Sequence, residues 1–341
     1  MIIFTGDINL TDNAFDVGFG VGSKVKRGLN PFRHIVKQEE DVWVGNFEGV
    51  TSNVTCRKGS AKDMFRLPTD YLTNCSNLID YWGVANNHVM EHGAEAYGSM
   101  CDALQKVSKG IFASDTNRTI TFMHGSKKIS IFGFSQRNDH TNYAPCYWNF
   151  PEYKDIEKEL FESDADYKVA YIHWGVEFIN RPYHDQQSFA HWLIDAGCDL
   201  IIGMHPHVMQ GYEIYHDKYI FYSLGNFVFD MAWHPTKYGL IVQLDVETNK
   251  VGFQYVHIDD FYCPRVILEK DVPEAWRMEK LCKEVSRKEN IEVYIKNANN
   301  GLALYRNANY KHMLLHLFEY DPQVIKDMMI SFIKRRLGIF F

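Results

Sequence analysis

Short apolar runs alternate with longer amphipathic stretches over roughly the first 235 residues of the chain. Runs rich in β-branched and aromatic residues, bounded by polar or glycine-containing segments, predict strands. The predicted strands are 1–4, 42–46, 78–85, 128–134, 168–173, 200–204 and 219–223. Apolar residues at helical spacing in 94–107 and 186–196 predict helices between them. Strands that alternate with helices indicate an α/β fold with a largely parallel sheet.

Beyond residue 230 the pattern changes to paired strands and then to helices. The runs 239–247 and 251–259 are separated by a short polar turn, which predicts an antiparallel pair of strands. Segments 274–288 and 322–337 are amphipathic, and the second begins with Asp321-Pro322, a common helix start. We therefore expect an α/β domain over residues 1–260 and a small, mainly helical extension over 261–341.

Composition narrows the class of protein that fits this pattern. The 341 residues are 46% hydrophobic, which is enough for a large core. A net charge of −7 disfavours nucleic acid as a partner, because binding to phosphate backbones requires a basic surface. No apolar run reaches transmembrane length and no leader precedes the first strand, so we expect a cytoplasmic protein. The basic and apolar tail 333–341 leaves peripheral contact with a membrane as an alternative, although a packed helix is favoured there.

Strand-like runs along the chain end in residues that can bind a metal. Side chains at the carboxyl ends of parallel strands converge on one edge of a sheet. A set of carboxylate, amide and imidazole groups without thiolates suits borderline divalent ions such as Mn, Fe or Zn. The residues at these strand ends are Asp7, Glu48, Asn87, His88, His173, His205, His207 and Asn226.

Each of these residues alone would be unremarkable. An Asp after a strand is more often a turn or capping residue, and a single core histidine is usually hydrogen-bonded within the core. The segment 85–88 is less ordinary, because two amides and an imidazole directly after an apolar strand need specific partners when they are buried. Together the residues predict two divalent cations that activate a bridging hydroxide, and the implied reaction is hydrolysis.

The order of the motifs resembles that of the CapA family of poly-γ-glutamate capsule biosynthesis proteins, which have the calcineurin-like metallophosphoesterase fold. The motifs are GD at 6–7, NFEG at 46–49, ANNH at 85–88, HWGVEF at 173–178, GMHPHV at 203–208 and YSLGNFVFD at 222–230. The resemblance extends over about residues 1–235 and does not cover 261–341. It implies a layered α/β/β/α sandwich, to which the C-terminal helical extension is added.

The resemblance also implies roles for individual residues, with Glu48 shared between two ions. The first ion would be held by Asp7, Glu48 and His207. The second would be held by Glu48, Asn87, His173 and His205. Asn9 stands where phosphoesterases usually have histidine and would be a weaker ligand.

His88 would lie beside the substrate as a proton donor or electrostatic stabiliser, and Glu91 could orient its imidazole. Several polar residues near the motifs would support the ligands or face the substrate. These are Asn46, Asn86, Glu177, Gln186, Asn226 and Arg66.

Two functions are consistent with these residues. The first is a metal-dependent hydrolase that acts on an anionic polymer or envelope precursor in capsule, poly-γ-glutamate or exopolysaccharide synthesis. The alternative is a non-catalytic subunit that binds metal and polymer and holds other synthesis proteins together. Metal content, combined with the activity of a His88→Ala variant, distinguishes the two.

Overall fold

Two large β-sheets, one two-stranded sheet and flanking helices make up the computed structural model, which describes residues 1–75, 78–139 and 141–336. In chain order the strands are β1 (Ile2–Ile8), β2 (Val42–Phe47), β3 (Val50–Thr51), β4 (Arg66–Leu67), β5 (Tyr81–Gly83), β6 (Gly110–Phe112), β7 (Thr119–His124), β8 (Lys127–Ser135), β9 (Tyr167–His173), β10 (Leu200–Met204), β11 (Tyr212–Tyr215), β12 (Lys218–Phe221), β13 (Asn226–Val228), β14 (Tyr238–Asp245), β15 (Lys250–Ile258) and β16 (Pro264–Ile267).

The α-helices follow the same numbering along the chain. They are α1 (Val21–Lys26), α2 (Ala94–Val107), α3 (Tyr153–Glu162), α4 (His184–Asp195), α5 (Met278–Val285), α6 (Ile291–Leu315) and α7 (Pro322–Arg336). Short 3-10 helices span Gly59–Lys62, Thr69–Cys75, His234–Lys237, Glu269–Asp271 and Glu274–Trp276.

The topology places the carboxyl ends of several parallel strands at one edge. The first sheet has the order β16-β15-β14-β1-β2-β5-β6, and β13 also pairs with β1. In it β1, β2, β5 and β6 are parallel, whereas β14, β15 and β16 are antiparallel. The second sheet has the order β11-β12-β10-β9-β8-β7, and its four inner strands are parallel. Polar residues at the ends of β1, β2, β9 and β10 therefore face a common space.

One apolar core joins the facing sides of the two sheets. Tyr171 of β9 lies in this core, with ring centroids 6.3 Å from Phe4 and 5.6 Å from Phe112. Its hydroxyl donates a hydrogen bond to the carbonyl of Thr5 at 3.0 Å and so ties the sheets together. Helix α2 covers the outer side of the first sheet, while α3 and α4 cover that of the second. The predicted α/β/β/α sandwich is confirmed.

Most predicted elements are present, with shifts at their ends. Helix α2 has the predicted bounds, α4 begins two residues early, and β14 and β15 form the predicted antiparallel pair. The predicted 274–288 helix is shorter, and residues 337–341 of the predicted tail lie outside the described residues. Strand β16 extends the first sheet past residue 260, and the proposed domain boundary there stays a prediction. No helix in the described part of the chain is long and apolar enough to cross a membrane.

Helix α6 was not predicted, and it packs closely on the loop that follows β9. A side chain at Gly301 would place its Cβ 2.2 Å from the carbonyl oxygen of Phe178, so only glycine permits this approach. The Tyr305 ring stacks on the Phe178 ring with centroids 4.2 Å apart. Tyr294 adds a hydrogen bond from its hydroxyl to the carbonyl of Arg181 at 3.3 Å. The sequence did not reveal α6 because its buried stripe is narrow and includes glycine, alanine and asparagine.

A Gly301→Ala substitution is therefore expected to destabilise the protein by about 1–3 kcal/mol, because the methyl group must displace backbone. Gly98 in α2 provides a matched control, since the position is exposed and a Cβ placed there would have no atom within 4 Å other than its chain neighbours and the backbone of its own helix. Gly98→Ala should stabilise by about 0.5–1 kcal/mol through helix propensity. Urea unfolding of both variants measures the difference, and equal effects would contradict the close contact of α6 with Phe178.

Candidate metal centre

Six predicted ligands converge at the carboxyl edge of the sheets, and each is at most 2% exposed: Asp7, Glu48, Asn87, His173, His205 and His207. Among these residues there are two groups of three in which the ligand atoms all lie within 4.8 Å of one another. The groups are Asp7, Glu48 and His173, and Glu48, His205 and His207. Glu48 belongs to both groups. The resemblance instead pairs Asp7 with His207, whose Nδ1 lies 3.6 Å from Asp7 Oδ2, so the division of ligands between two ions stays a prediction.

The Glu48 carboxylate lies at the centre of this cluster. It directly follows β2, and neither of its oxygens has a hydrogen-bond partner among the described residues. Oε1 is 3.6 Å from His207 Nε2, 3.8 Å from His88 Nε2 and 3.9 Å from His173 Nε2. Ligand atoms that share one cation at about 2.0–2.2 Å lie roughly 3–4 Å apart, so the spacing fits a metal site.

The orientation of His207 is fixed by Asn226. The amide nitrogen of Asn226 donates to the carbonyl of Thr236 at 3.1 Å, which turns its oxygen towards His207 Nδ1 at 3.0 Å. Since that oxygen only accepts, Nδ1 of His207 carries the proton and Nε2 presents a lone pair on the Glu48 side. A hydrogen bond of this kind is the usual support for a metal-binding imidazole.

A chain of amides fixes the Asp7 side of the cluster. Asn86 donates to the carbonyl of Phe47 at 2.8 Å and to Asn46 Oδ1 at 3.0 Å. The Asn46 amide nitrogen must then point the other way, where it lies 2.8 Å from Asp7 Oδ1 and 3.3 Å from His173 Nδ1. The structure thus brings Asn46 and Asn86, both predicted to support the ligands, into one network.

The remaining ligands meet around His173. Its Nε2 is 2.7 Å from Asn87 Oδ1 and 3.1 Å from His205 Nδ1. The other ring nitrogen of His205, Nε2, is buried with no hydrogen-bond partner among the described residues. The backbone amide of His205 donates to Asp7 Oδ2 at 3.0 Å.

Backbone strain marks the His-Pro-His segment. His205 has φ +95° and His207 has φ +58°, and Phe178, which donates its amide to the carbonyl of Pro206, has φ +62°. Non-glycine residues in this region cost on the order of 1–3 kcal/mol each, and such outliers cluster at functional sites. The two histidines are therefore held in place against a local conformational preference.

Burial shifts the pKa values of the buried ionisable groups away from their charged forms. Burial raises the pKa of Asp7 and, together with the nearby Asp7 charge, raises the pKa of Glu48 well above its usual range. Burial, followed by the charges of His173 and Arg137, lowers the pKa of His205 well below its usual range. A divalent cation would favour ionised carboxylates and neutral imidazoles, and would compensate for the burial of both.

His88 lies at the rim of the cluster, where two neighbours fix its ring. Its Nδ1 is 2.5 Å from Glu91 Oε1, and its ring stacks on Phe65 with centroids 4.0 Å apart. The other carboxylate oxygen of Glu91 pairs with Arg57 at 2.5 Å. The predicted contact between Glu91 and His88 is present, and its catalytic meaning stays a prediction.

The other predicted residues have more varied positions. Glu177 Oε1 is 4.0 Å from His207 Nε2, and its side chain is 32% exposed, as a substrate-facing residue would be. The Asn9 oxygen accepts two hydrogen bonds from Thr11, so both of its lone pairs are used locally and its role as a ligand stays a prediction. The Gln186 amide lies close to Gly175 in the loop after β9, and its predicted support of a ligand or contact with substrate stays a prediction.

Arg66 is bound within its own loop. Its guanidinium donates to the carbonyls of Ser52 and Lys62 and to the Asp63 carboxylate, at 2.5–3.2 Å. These contacts place Arg66 as a structural residue of the loop, and its predicted contact with substrate stays a prediction.

Arg137 and Asp139, just after β8, were missed by the sequence analysis. Arg137 donates to the carbonyl of Gly175 at 2.7 Å, and its charge acts on His205. Burial raises the pKa of Asp139 to about 6, against the effect of a hydrogen bond from Tyr147 and the charge of His88. The position of Arg137 just after a predicted strand could have indicated it. Arg137 was not selected because arginine is not a metal ligand.

Solved structures with a similar fold include a phosphatase and a 5'-nucleotidase. A phosphatase from Mycoplasma pneumoniae is 14% identical and aligns over 76% of this chain and 95% of its own, with a TM-score of 0.46. A 5'-nucleotidase from Candida albicans is 11% identical over 91% of this chain and 58% of its own, also with a TM-score of 0.46. These similarities are distant and concern the fold.

Curated relatives in sequence include two proteins named for PGA or capsule biosynthesis. The PGA biosynthesis protein CapA of Bacillus subtilis is 32% identical over 201 residues, which cover 55% of this chain and 52% of that protein. The capsule biosynthesis protein CapA of Bacillus anthracis is 45% identical over 92 residues, covering 27% of this chain and 22% of that protein. The chain thus matches about half or less of the length of these relatives. The profile of the bacterial capsule synthesis protein family PGA_cap matches residues 1–231, and the chain belongs to that family.

Proposed function

We propose that this protein is a hydrolase that depends on divalent metal ions and takes part in the synthesis of capsule, poly-γ-glutamate or exopolysaccharide. The observation that supports the proposal most directly is the buried Glu48 carboxylate, surrounded by imidazole nitrogens at 3.6–3.9 Å and without a hydrogen-bond donor among the described residues. An unpaired buried carboxylate is costly, and a cation compensates for it.

The donor set favours Mn, Fe or Zn. It combines carboxylate and amide oxygens with imidazole nitrogens, and it contains no thiolate. Ions bound there would supply Lewis-acid activation of water and of the bond to be broken. We propose two ions, with Glu48 between them, because Glu48 belongs to both groups of ligand atoms.

The chain's own residues would orient the reacting groups. Asn226 and Asn46 hold His207 and Asp7, so the ligands need little rearrangement when an ion binds. His88 would exchange a proton with the leaving group, because Glu91 fixes its Nδ1 and leaves Nε2 on the side of Glu48. Arg137, a cation beside His205, would attract an anionic substrate.

The biosynthetic role is proposed from the relatives. Two of them are named as proteins of PGA or capsule biosynthesis. We propose that the substrate is an anionic polymer or an envelope precursor and that the protein acts with other proteins of the synthesis pathway. A cytoplasmic location, with or without peripheral attachment to a membrane, completes the proposal.

Metal analysis tests the proposal. We expect purified protein to contain Mn, Fe or Zn, and we expect chelator-treated protein to regain stability when Mn²⁺ or Zn²⁺ is added. Binding to the folded state alone stabilises by about 2.7 kcal/mol at a ligand concentration 100 times the dissociation constant. Ca²⁺ is the control, since it prefers all-oxygen sites and should stabilise much less. Protein that carries no metal and is stabilised by none of these ions would contradict the proposal.

A further inference from the structure

A cavity of about 590 Å³ lies between α6 and the loops that follow β9 and the His-Pro-His segment. Its volume lies within the range of small-molecule sites, about 300–1,000 Å³. Aromatic rings and asparagine amides are prominent in its lining. These residues are Phe178, Trp233, Trp276, Asn180, Asn297 and Asn300.

The cavity adjoins the candidate metal centre. Val208, which follows His207, lines it, and so does Phe178, which follows Glu177. The Phe178 ring centroid is 6.0 Å from that of His207. A molecule held in the cavity would therefore lie one side chain away from a proposed ligand. Helix α6 forms one wall of the cavity. In the sequence this helix follows residue 231, so it lies outside the part of the chain that the family profile matches.

The charges that line the cavity are already paired. Arg181 donates to both oxygens of Glu289, at 2.5 and 2.9 Å, and is 5% exposed. Arg287 lies 3.2 Å from Glu284 and is half exposed. Among the described residues, no carboxylate lines the cavity itself. Both arginines of the lining thus have carboxylate partners, and His234 is the remaining ionisable side chain that lines the cavity among the described residues, so little net positive charge is available for a polyanion.

The same ion pair orients two of the amides. Asn180 accepts a hydrogen bond from Arg181 through its oxygen at 3.3 Å, so its amide nitrogen takes no part in this contact. Asn297 donates through its nitrogen to Glu289 at 3.3 Å, which leaves its oxygen as an acceptor. The lining thus contains one amide nitrogen that can still donate, that of Asn180, and one amide oxygen that can still accept, that of Asn297, beside aromatic rings.

From these features we infer that the cavity binds a ring of an uncharged carbohydrate. Hydroxyl groups donate and accept, as the two oriented amides require, and the apolar face of a sugar ring packs on aromatic rings. The inference deepens the proposed function, on which its link to catalysis rests, because it selects a glycan-containing envelope precursor among the proposed substrates and places its uncharged sugar unit beside the reacting bond. Sugar binding itself requires no metal.

Titration calorimetry and tryptophan fluorescence on the full, metal-free chain test this inference. The probes are maltotriose, cellotriose and chitotriose, with a γ-linked glutamate oligomer as the anionic comparison. At least one saccharide should bind and change the fluorescence. Its affinity should be unchanged between about 0.1 M and about 1 M salt, where the Debye length falls from about 10 to about 3 Å.

Variants locate the binding. Trp233→Ala should weaken saccharide binding about tenfold or more, while Trp233→Phe, which keeps an aromatic ring, should retain most of it. Trp192→Ala is the control, since that ring packs on Phe189 and Tyr153 at α4, away from the cavity. Circular dichroism verifies that each variant is folded.

Two results would overturn the inference. One is that none of the three saccharides binds, and the other is that binding survives Trp233→Ala in a folded variant. Binding of the glutamate oligomer alone, with strong salt dependence, counts as the first result. Mn²⁺ titration of the same sample separates this inference from the proposed function: metal binding without sugar binding refutes only the inference, and sugar binding without metal binding refutes only the function.

Discussion

A Glu48→Gln variant is expected to lose most of the stabilisation that Mn²⁺ gives to the native chain. Glutamine keeps the shape of the side chain but replaces a charged ligand by a neutral amide. Loss of a group that only supports a ligand typically weakens metal affinity 10–100-fold, so loss of a central carboxylate should weaken it by at least about 100-fold. Thermal unfolding across a Mn²⁺ titration measures the change.

The same variant should be at least as stable as the native chain when both are free of metal. Burial and the Asp7 charge raise the pKa of Glu48, so the folded state of the metal-free native chain is destabilised whenever this carboxylate is ionised. This destabilisation is absent below the usual pKa of glutamate, grows as the pH rises from there to the raised pKa of the folded state, and is fully present above the raised pKa. Without metal, the stability of the variant should be unchanged or higher, and the stabilisation by Mn²⁺ should be lost. Both results together are expected only for a metal ligand that has no hydrogen-bond partner among its neighbours.

Asp80 supplies the control for this experiment. It is also a buried carboxylate, but Lys37 lies 2.6 Å away, Lys109 lies 3.1 Å away, and the amide of Trp43 donates to it at 2.8 Å. Asp80→Asn should therefore destabilise the protein equally with and without Mn²⁺, since it removes one partner of a satisfied network. If Glu48→Gln behaved like Asp80→Asn, Glu48 would not be a metal ligand.

The core of the fold could be predicted from the sequence because, in those segments, the spacing of apolar residues and the length of each run indicate the same type of element. The strands β1, β2, β9 and β10 are continuous apolar runs that end in polar motifs, and α2 has the spacing of an amphipathic helix. Strand β5 is only three residues long, although a longer run was predicted. The residues next to it, Asp80 and Val84, are buried and still donate backbone hydrogen bonds to Trp43 and Phe112 at 2.8 and 3.0 Å.

The C-terminal part of the chain shows the limit of such patterns. Only four residues of the 25-residue helix α6 are buried, and two of them are Gly301 and Asn309. A hydrophobic period cannot reveal a helix that packs through a glycine against backbone. Tertiary contact, here the approach of Gly301 to Phe178, decides the structure of that segment.

The candidate site was predictable to the extent that metal ligands have recognisable side chains. Asp7, Glu48 and the histidines follow strands, and the rule that strand ends converge was enough to group them. Arg57 could not be found this way, since it comes from a loop and is linked to the site through its contact with Glu91. Arg137 does follow a predicted strand, but arginine is not a metal ligand and was not selected. The assignment of Asn9 rested on motif position, which does not show that Thr11 occupies its oxygen.

His88→Ala is expected to reduce turnover about 10²–10⁴-fold while metal content stays unchanged, if His88 transfers a proton to the leaving group. Its position supports this role, because Nε2 is 3.8 Å from Glu48 Oε1 and the ring is held by Phe65 and Glu91. Activity is measured on phosphodiesters, γ-glutamyl oligomers and glycans, with metal loading determined on the same samples. His191→Ala is the control, since His191 pairs with Glu213 at 2.5 Å outside the site.

Two further measurements distinguish proton transfer from a structural effect. Added imidazole should partly restore the turnover of His88→Ala, because it can occupy the space left by the side chain. Glu91→Gln should lower kcat about 10–100-fold with little change in KM, since Glu91 only positions the His88 ring. Native turnover retained by His88→Ala would exclude the proton-transfer role. A fully metal-loaded native chain that hydrolyses none of these substrates would instead favour a non-catalytic subunit that binds metal and polymer.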